Sequence, residues 1–210
     1  MTGEAETLGH IIAALAVRTA REHDGAQLII WGGEPTVSFD LFNRQQGNLD
    51  SEGPLPDTLA ISRHGLPPRL FMSPLDKHHK QGPMGGRMQA LALAACLGLQ
   101  QAASINALHA SDMHPFRVFL LAAGTDGRDG PTDACGAIVD GYTPARAQEK
   151  GRDAIRDLHR LRSYHALKAA NALLVTGPTG TNVMDVVAAY IVPSPREPFD
   201  IWYGGAPPIV

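Results

Sequence analysis

Residues 118–123 read Val-Phe-Leu-Leu-Ala-Ala, and the thirteen that follow carry Gly124, Gly127, Gly130 and Gly136 among Asp126, Asp129, Pro131 and Asp133. Six uninterrupted apolar residues have the length of a strand buried on both faces. Glycine permits positive φ and lets backbone approach a ligand closely. Three carboxylates within eight residues repel one another unless solvent, a cation or donor groups separate them. A buried strand that runs into a polar, Gly-rich loop is the place where open α/β sheets bind ligands. A solvated acidic turn is the alternative reading of the same residues.

Three other glycine-marked loops adjoin apolar elements. Leu28–Trp31 predicts a short strand that runs into Gly32-Gly33-Glu34-Pro35-Thr36 and resumes at Val37–Phe39. Gly85-Gly86-Arg87 opens an Ala/Leu-rich helix through Ala103, which is expected to be buried on more than one face. Arg87 then sits in a first turn, where the positive helix end, free N–H groups and a guanidinium together favour an anion. Leu173-Leu174-Val175 predicts a further strand, broken by Thr176-Gly-Pro-Thr-Gly-Thr-Asn-Val-Met-Asp185, and Val186–Val192 is apolar again. Parallel sheets bring strand ends to one edge, so these four loops are expected to line one cleft. Backbone donors, one arginine, hydroxyls and several carboxylates suit a phosphate or carboxylate ligand accompanied by Mg²⁺.

Between these landmarks, Thr7–Glu22 has helical spacing, with Thr7 as cap. Thr143 is expected to cap a helix with Pro144 at its first position, and helical patches cover Ala154–Arg160 and Ser163–Ala170. The 210 residues are expected to form a single domain. It carries a Pro-rich excursion at about 41–83, holding His78-His79 and a short strand at Thr58–Ser62, and an extended tail at 193–210. A net charge of −3 without any Lys/Arg-rich run argues against nucleic acid. No apolar run approaches the roughly 20 residues that span a bilayer. Two cysteines, Cys96 and Cys135, suit a reducing compartment, so a cytoplasmic location is expected.

Common catalytic motifs are absent. Gly177-Pro-Thr-Gly180 lacks the Lys-Ser/Thr ending of a P-loop, no GxGxxG follows a strand, and the three aspartates are not spaced as in an EF-hand. Yet Gly32-Gly33-Glu34-x-Thr36, Gly86-Arg87-x-Gln89, Ala123-Gly-Thr-Asp-Gly-x-Asp-Gly-Pro-Thr-Asp-Ala134 and Thr176-Gly-Pro-Thr-Gly-Thr-Asn-Val-x-Asp185 resemble the MOFRL domain in both wording and order. That is the C-terminal domain of the glycerate 2-kinase family, also called hydroxypyruvate reductase. The resemblance covers roughly residues 27–192. It implies a three-layer α/β domain, with a mixed, mostly parallel sheet and helices on both faces. It also implies ATP-dependent, Mg²⁺-assisted phosphoryl transfer to the 2-hydroxyl of D-glycerate. On that resemblance Arg87 and Asp126 are the catalytic candidates. Gly32, Gly33, Glu34, Thr36, Gln89, Thr125, Thr176, Thr179, Gly180, Thr181 and Asn182 would bind substrate or phosphate, and Asp126, Asp129 and Asp133 would hold Mg²⁺.

Three departures qualify the resemblance. The family's enzymes carry a larger, lysine-bearing N-terminal domain, whereas about two dozen residues precede the first predicted strand here. Met88 and Ala90 stand where the family has polar residues, and residues 40–83 replace a short connection. Activity is therefore expected to need a separately encoded N-terminal-type subunit or oligomerisation. The alternatives are a non-catalytic anion-binding or regulatory subunit, and an unrelated enzyme that uses the acidic loop as its metal site.

Overall fold

A computed structural model describes residues 1–23, 25–37, 84–108 and 116–193. Its helices are α1 (Ala5–Glu22), α2 (Arg87–Leu108), α3 (Thr143–Glu149), α4 (Ala154–His159) and α5 (Ser163–Ala169). Its strands are β1 (Gln27–Gly33), β2 (Phe116–Gly124), β3 (Gly136–Asp140), β4 (Leu173–Leu174) and β5 (Asp185–Pro193). The excursion at 41–83, with Thr58–Ser62 and the two histidines, lies outside the described residues, as does the tail beyond Pro193. Val37 belongs to no strand. Two expected caps are replaced: Glu4 precedes α1 without a side-chain cap, and the Thr143 hydroxyl bonds back to Asp140.

The strands form one sheet in the order β1-β5-β2-β3-β4, and every neighbouring pair is antiparallel. This corrects the expectation of a mostly parallel sheet. β1 and β2 do run in the same direction, as a helix between two strands suggests, but β5 lies between them and opposes both. That insertion pairs residues over 150 positions apart at β1 (Gln27 with Ile191), and no local pattern encodes it.

The antiparallel order still gathers the loops. Gly33 pairs with Asp185, Asp185 with Gly124, Ala123 with Gly136, and Gly136 with Leu174. The ends of β1, β2 and β4 therefore share one sheet edge with the starts of β3 and β5.

Alternation along the strands separates two faces. Val118, Leu120, Val139, Val187 and Ile191 turn toward the helices and are buried. The opposite face presents Leu28, Tyr190 and Phe119 in one register row, and Ile30 and Ile138 in the next. All five are exposed. Among the described residues the arrangement is thus two layers, not a sheet with helices on both sides.

The α2 helix is the centre of the core. Met88 through Cys96 are buried in every direction around the helix, as its Ala/Leu composition predicts. Small residues bring α1 against it: a Cβ added at Gly9 would lie 2.8 Å from Ala94 Cβ.

Below the sheet edge, α4 and α5 are tied by charge. The Arg152 Nε and Nη2 groups each donate to Asp157 at 2.7 Å, and Arg162 Nη2 lies 3.0 Å from Asp157 Oδ1. All three residues are buried. The turn between these helices passes through Leu161 at φ 52. Its carbonyl accepts from Met84 N, and the Met84 carbonyl accepts from Tyr164 N. The buried ion cluster thereby holds the backbone that leads into Gly85-Gly86-Arg87.

Candidate anion site at the strand-end edge

Arg87 begins α2 beside the paired ends of β1, β5 and β2. Its Nη1 donates to Glu34 Oε1 at 2.8 Å, and its Nη2 donates to Asp185 Oδ1 at 3.3 Å. Nε lies 2.6 Å from Asp185 Oδ2, a charge contact too bent to satisfy that buried oxygen as a hydrogen bond. Burial opposes the Arg87 charge but is outweighed by Asp185 and Glu34, so the pKa of the guanidinium is raised. Asp185 is itself buried, and burial raises its pKa against the favourable pull of Arg87. In the sequence it closes the fourth family-like motif, with no site role expected of it. The available signal was a carboxylate at the junction between the Gly/Thr-rich loop and the last apolar run.

The acidic loop packs against the start of α2. Asp129 Oδ1 accepts from Met88 N at 3.1 Å and its Oδ2 from Gln89 N at 2.8 Å, which satisfies two donors that a helix N-terminus leaves unpaired. The wholly buried Gln89 amide donates to Asp129 O and Thr132 Oγ1, leaving its own Oε1 without a partner. Gln89 thus braces the loop. Met88 and Ala90 point into the core.

The double glycine has a packing reason. A Cβ at Gly86 would strike the Asp129 carboxylate, and one at Gly130 (φ 60) would come within 2.8 Å of Gly85 O.

The three aspartates do not converge on a cation. Asp129 is committed to α2, Asp133 Oδ1 accepts from Tyr164 Oη at 2.8 Å, and Asp126 Oδ1 accepts from Arg128 N at 3.0 Å. Among the described residues no group of three His, Cys, Asp or Glu is placed to hold a metal ion. The residues present therefore do not fit the expected three-carboxylate Mg²⁺ site.

The remaining candidates divide into two groups. Thr125 latches the loop after β4: its hydroxyl donates to Met184 O at 2.7 Å and accepts from Val183 N at 2.8 Å. Thr179 donates through its hydroxyl to Thr125 O and through its N–H to Asp126 O. Gly180 adopts φ 75 and Asn182 Oδ1 accepts from Met184 N, while Thr176, Thr181 and Asn182 are exposed. Gly32, Gly33 and Thr36 are tied instead to the N-terminus. The Met1 amine donates to Gly32 O at 2.7 Å, a Cβ at Gly33 would strike Met1, and Thr36 N donates to Gly3 O.

Glu34, Arg87, Asp126, Asp185 and the 176–184 loop thus share one edge. Asp129 stands behind them with its pKa pushed up to about 6, because burial outweighs its two amide donors. A raised carboxylate pKa means that the folded chain takes up a proton between about pH 4 and pH 6. The stabilising contribution is complete below that window and lost as pH rises through it. Urea unfolding at pH 5 and pH 7.5 should show this fall in wild type, and Asp129→Asn should flatten it.

Residues 77–185 match the MOFRL family. The chain belongs to that family. Over 115 residues this MOFRL chain is 45% identical to a D-glycerate 2-kinase from Thermotoga maritima, covering 55% of this chain and 24% of that protein. Over 111 residues it is 44% identical to a glycerate 2-kinase from Pyrococcus horikoshii, covering 53% of this chain and 22% of the relative. The crystal structure of glycerate kinase from Thermotoga maritima superimposes with a TM-score of 0.59 at 32% identity, covering 91% of this chain and 34% of that one. The MOFRL chain therefore spans about a quarter of the length of these curated relatives. Among its described residues no helix is long and apolar enough to cross a membrane.

Proposed function

We propose that this MOFRL chain supplies the anion-orienting half of a glycerate 2-kinase-type site, in which a phosphoryl group passes from ATP to the 2-hydroxyl of D-glycerate. The observation that supports it is the fixed position of Arg87. It stands at the edge where all four glycine-marked motifs meet, and its side chain is 36% exposed, so a ligand has access to it. A guanidinium clamped by carboxylates is pre-oriented, and a planar fork of donors matches a carboxylate or phosphate.

The division of labour follows from the described residues. Arg87 orients the anionic group. The loop carrying Thr176, Thr181 and Asn182 offers exposed polar groups beside it, and Thr125 with Thr179 hold that loop in place. The catalytic lysine implied by the family belongs to the complementary half, on a separate N-terminal-type subunit or within an oligomer. ATP is the phosphoryl donor that the family resemblance implies. A cytoplasmic setting, in which Cys96 and Cys135 stay reduced, goes with the same reading.

The test is an assay with D-glycerate and MgATP, on the purified chain alone and mixed with an N-terminal-type subunit. Turnover is expected only in the mixture and is lost with Arg87→Ala. No turnover in either arrangement sinks the kinase reading.

The second reading, a non-catalytic anion-binding subunit, is favoured by Met88 and Ala90, which stand where the family has polar residues and are buried in the core. It predicts calorimetric binding of D-glycerate or phosphate that Arg87→Ala abolishes, with no turnover in the mixture.

A further inference from the structure

The surroundings of Arg87 present a difficulty for any anion. One guanidinium faces Glu34 and Asp185 directly, and the charges of Asp126 and Glu34 both bear on Asp185. Asp129 lies close enough to feel both Asp185 and Arg87. Both direct partners of Arg87 are carboxylates, so an incoming anion meets an occupied guanidinium and is repelled unless one of them departs. The two direct partners differ in their freedom to leave. The Asp185 side chain is 4% exposed, starts a strand paired on both sides, and touches Arg87 through both oxygens. The Glu34 side chain is 56% exposed, follows the end of β1, and makes a single contact with Nη1.

We propose that the two carboxylates have opposite roles: Asp185 is a permanent positioning residue for Arg87, and Glu34 is a resident counter-ion that leaves when a small carboxylate or phosphate takes its place on Nη1. This rests on the proposed anion site and states how that site selects its ligand. The ligand must carry an oxyanion able to replace Glu34 while Asp185 still holds Nε. For a singly charged carboxylate the exchange keeps the charge around Arg87 constant on binding, and it lets the empty site close on itself instead of leaving a bare cation. Releasing a half-exposed carboxylate to water costs little, whereas freeing Asp185 would strand a buried charge.

The roles predict effects of opposite sign. Calorimetric titration with D-glycerate, and separately with inorganic phosphate, should show Glu34→Gln binding about two- to fivefold more tightly than wild type, the factor that a partly exposed ion pair is worth. Asp185→Asn should bind at least about tenfold more weakly, as when one member of a buried charge pair is lost. In an Arg87→Ala background Glu34→Gln should change nothing. The Arg87 Nε–Hε resonance of wild type, assigned by its absence in Arg87→Ala, should keep its shift at saturating D-glycerate because Asp185 retains that group. This readout does not depend on Asp185→Asn folding. Wild-type binding that Arg87→Ala abolishes but Glu34→Gln leaves equal or weaker overturns the exchange and leaves the site standing. So does a large ligand-induced shift of the Nε–Hε resonance. Absence of binding by both wild type and Glu34→Gln removes the site and the exchange together.

Discussion

Asp157→Ala is expected to lower the unfolding free energy by about 4 kcal/mol, the cost typical of removing one member of a buried charge cluster. Arg152 and Arg162, both buried, would lose the carboxylate they share. The effect should extend to the ligand edge. The turn it stabilises carries Leu161, whose carbonyl holds Met84 three residues before Arg87. Urea unfolding followed by circular dichroism measures the loss. A change below about 1 kcal/mol, the range of surface ion pairs, would show that the cluster is dispensable.

Gly86→Ala is expected to cost about 3 kcal/mol, near the upper end for forcing an extra methyl into a packed interior. The new Cβ would meet the Asp129 carboxylate and lie 2.5 Å from the backbone carbon of the same residue. Rotating the side chain cannot relieve the backbone contact, so either α2 or the acidic loop must shift. Either movement loosens the two hydrogen bonds from Asp129 to the helix start and tilts Arg87. The unfolding midpoint should fall, and D-glycerate binding should weaken even at temperatures where the variant is folded. A variant with wild-type stability would show that the two segments are less closely packed than described.

The difference between sequence and structure is clearest in this same contact. Three aspartates in a glycine-rich loop suggest a cation site, because spacing reveals charge density but not direction. In the structure Asp129 turns inward to cap a helix that starts over forty residues earlier in the chain, and Asp133 meets a tyrosine from α5. Both are long-range contacts, outside any local window. The double glycine before Arg87 was legible as a place of close approach. What approaches it is the chain's own backbone at Asp129 and Gly130.

Convergence of the loops was also legible, though for another reason than the one inferred. It arises from β5 lying between β1 and β2, not from parallel strands. Apolar runs such as Val118–Ala123 look the same whether one sheet face or both are covered, so Phe119 on the open face gave no warning. The motif ending at Asp185 is legible, but the role of that carboxylate is not, because it depends on register. Only the pairing of β5 with Gly33 and Gly124 brings it to Arg87.

That register makes β5 a measuring rod. Adding or deleting one residue within Val186–Ile191 would turn its side chains to the opposite face and carry Asp185 out of line with both flanking glycines. The loop from Thr176 to Met184 is largely solvent-facing, yet Thr125 and Thr179 fix it against the end of β2. Descendants of this chain should therefore keep the residue count of the strand, since its register decides where the carboxylate arrives.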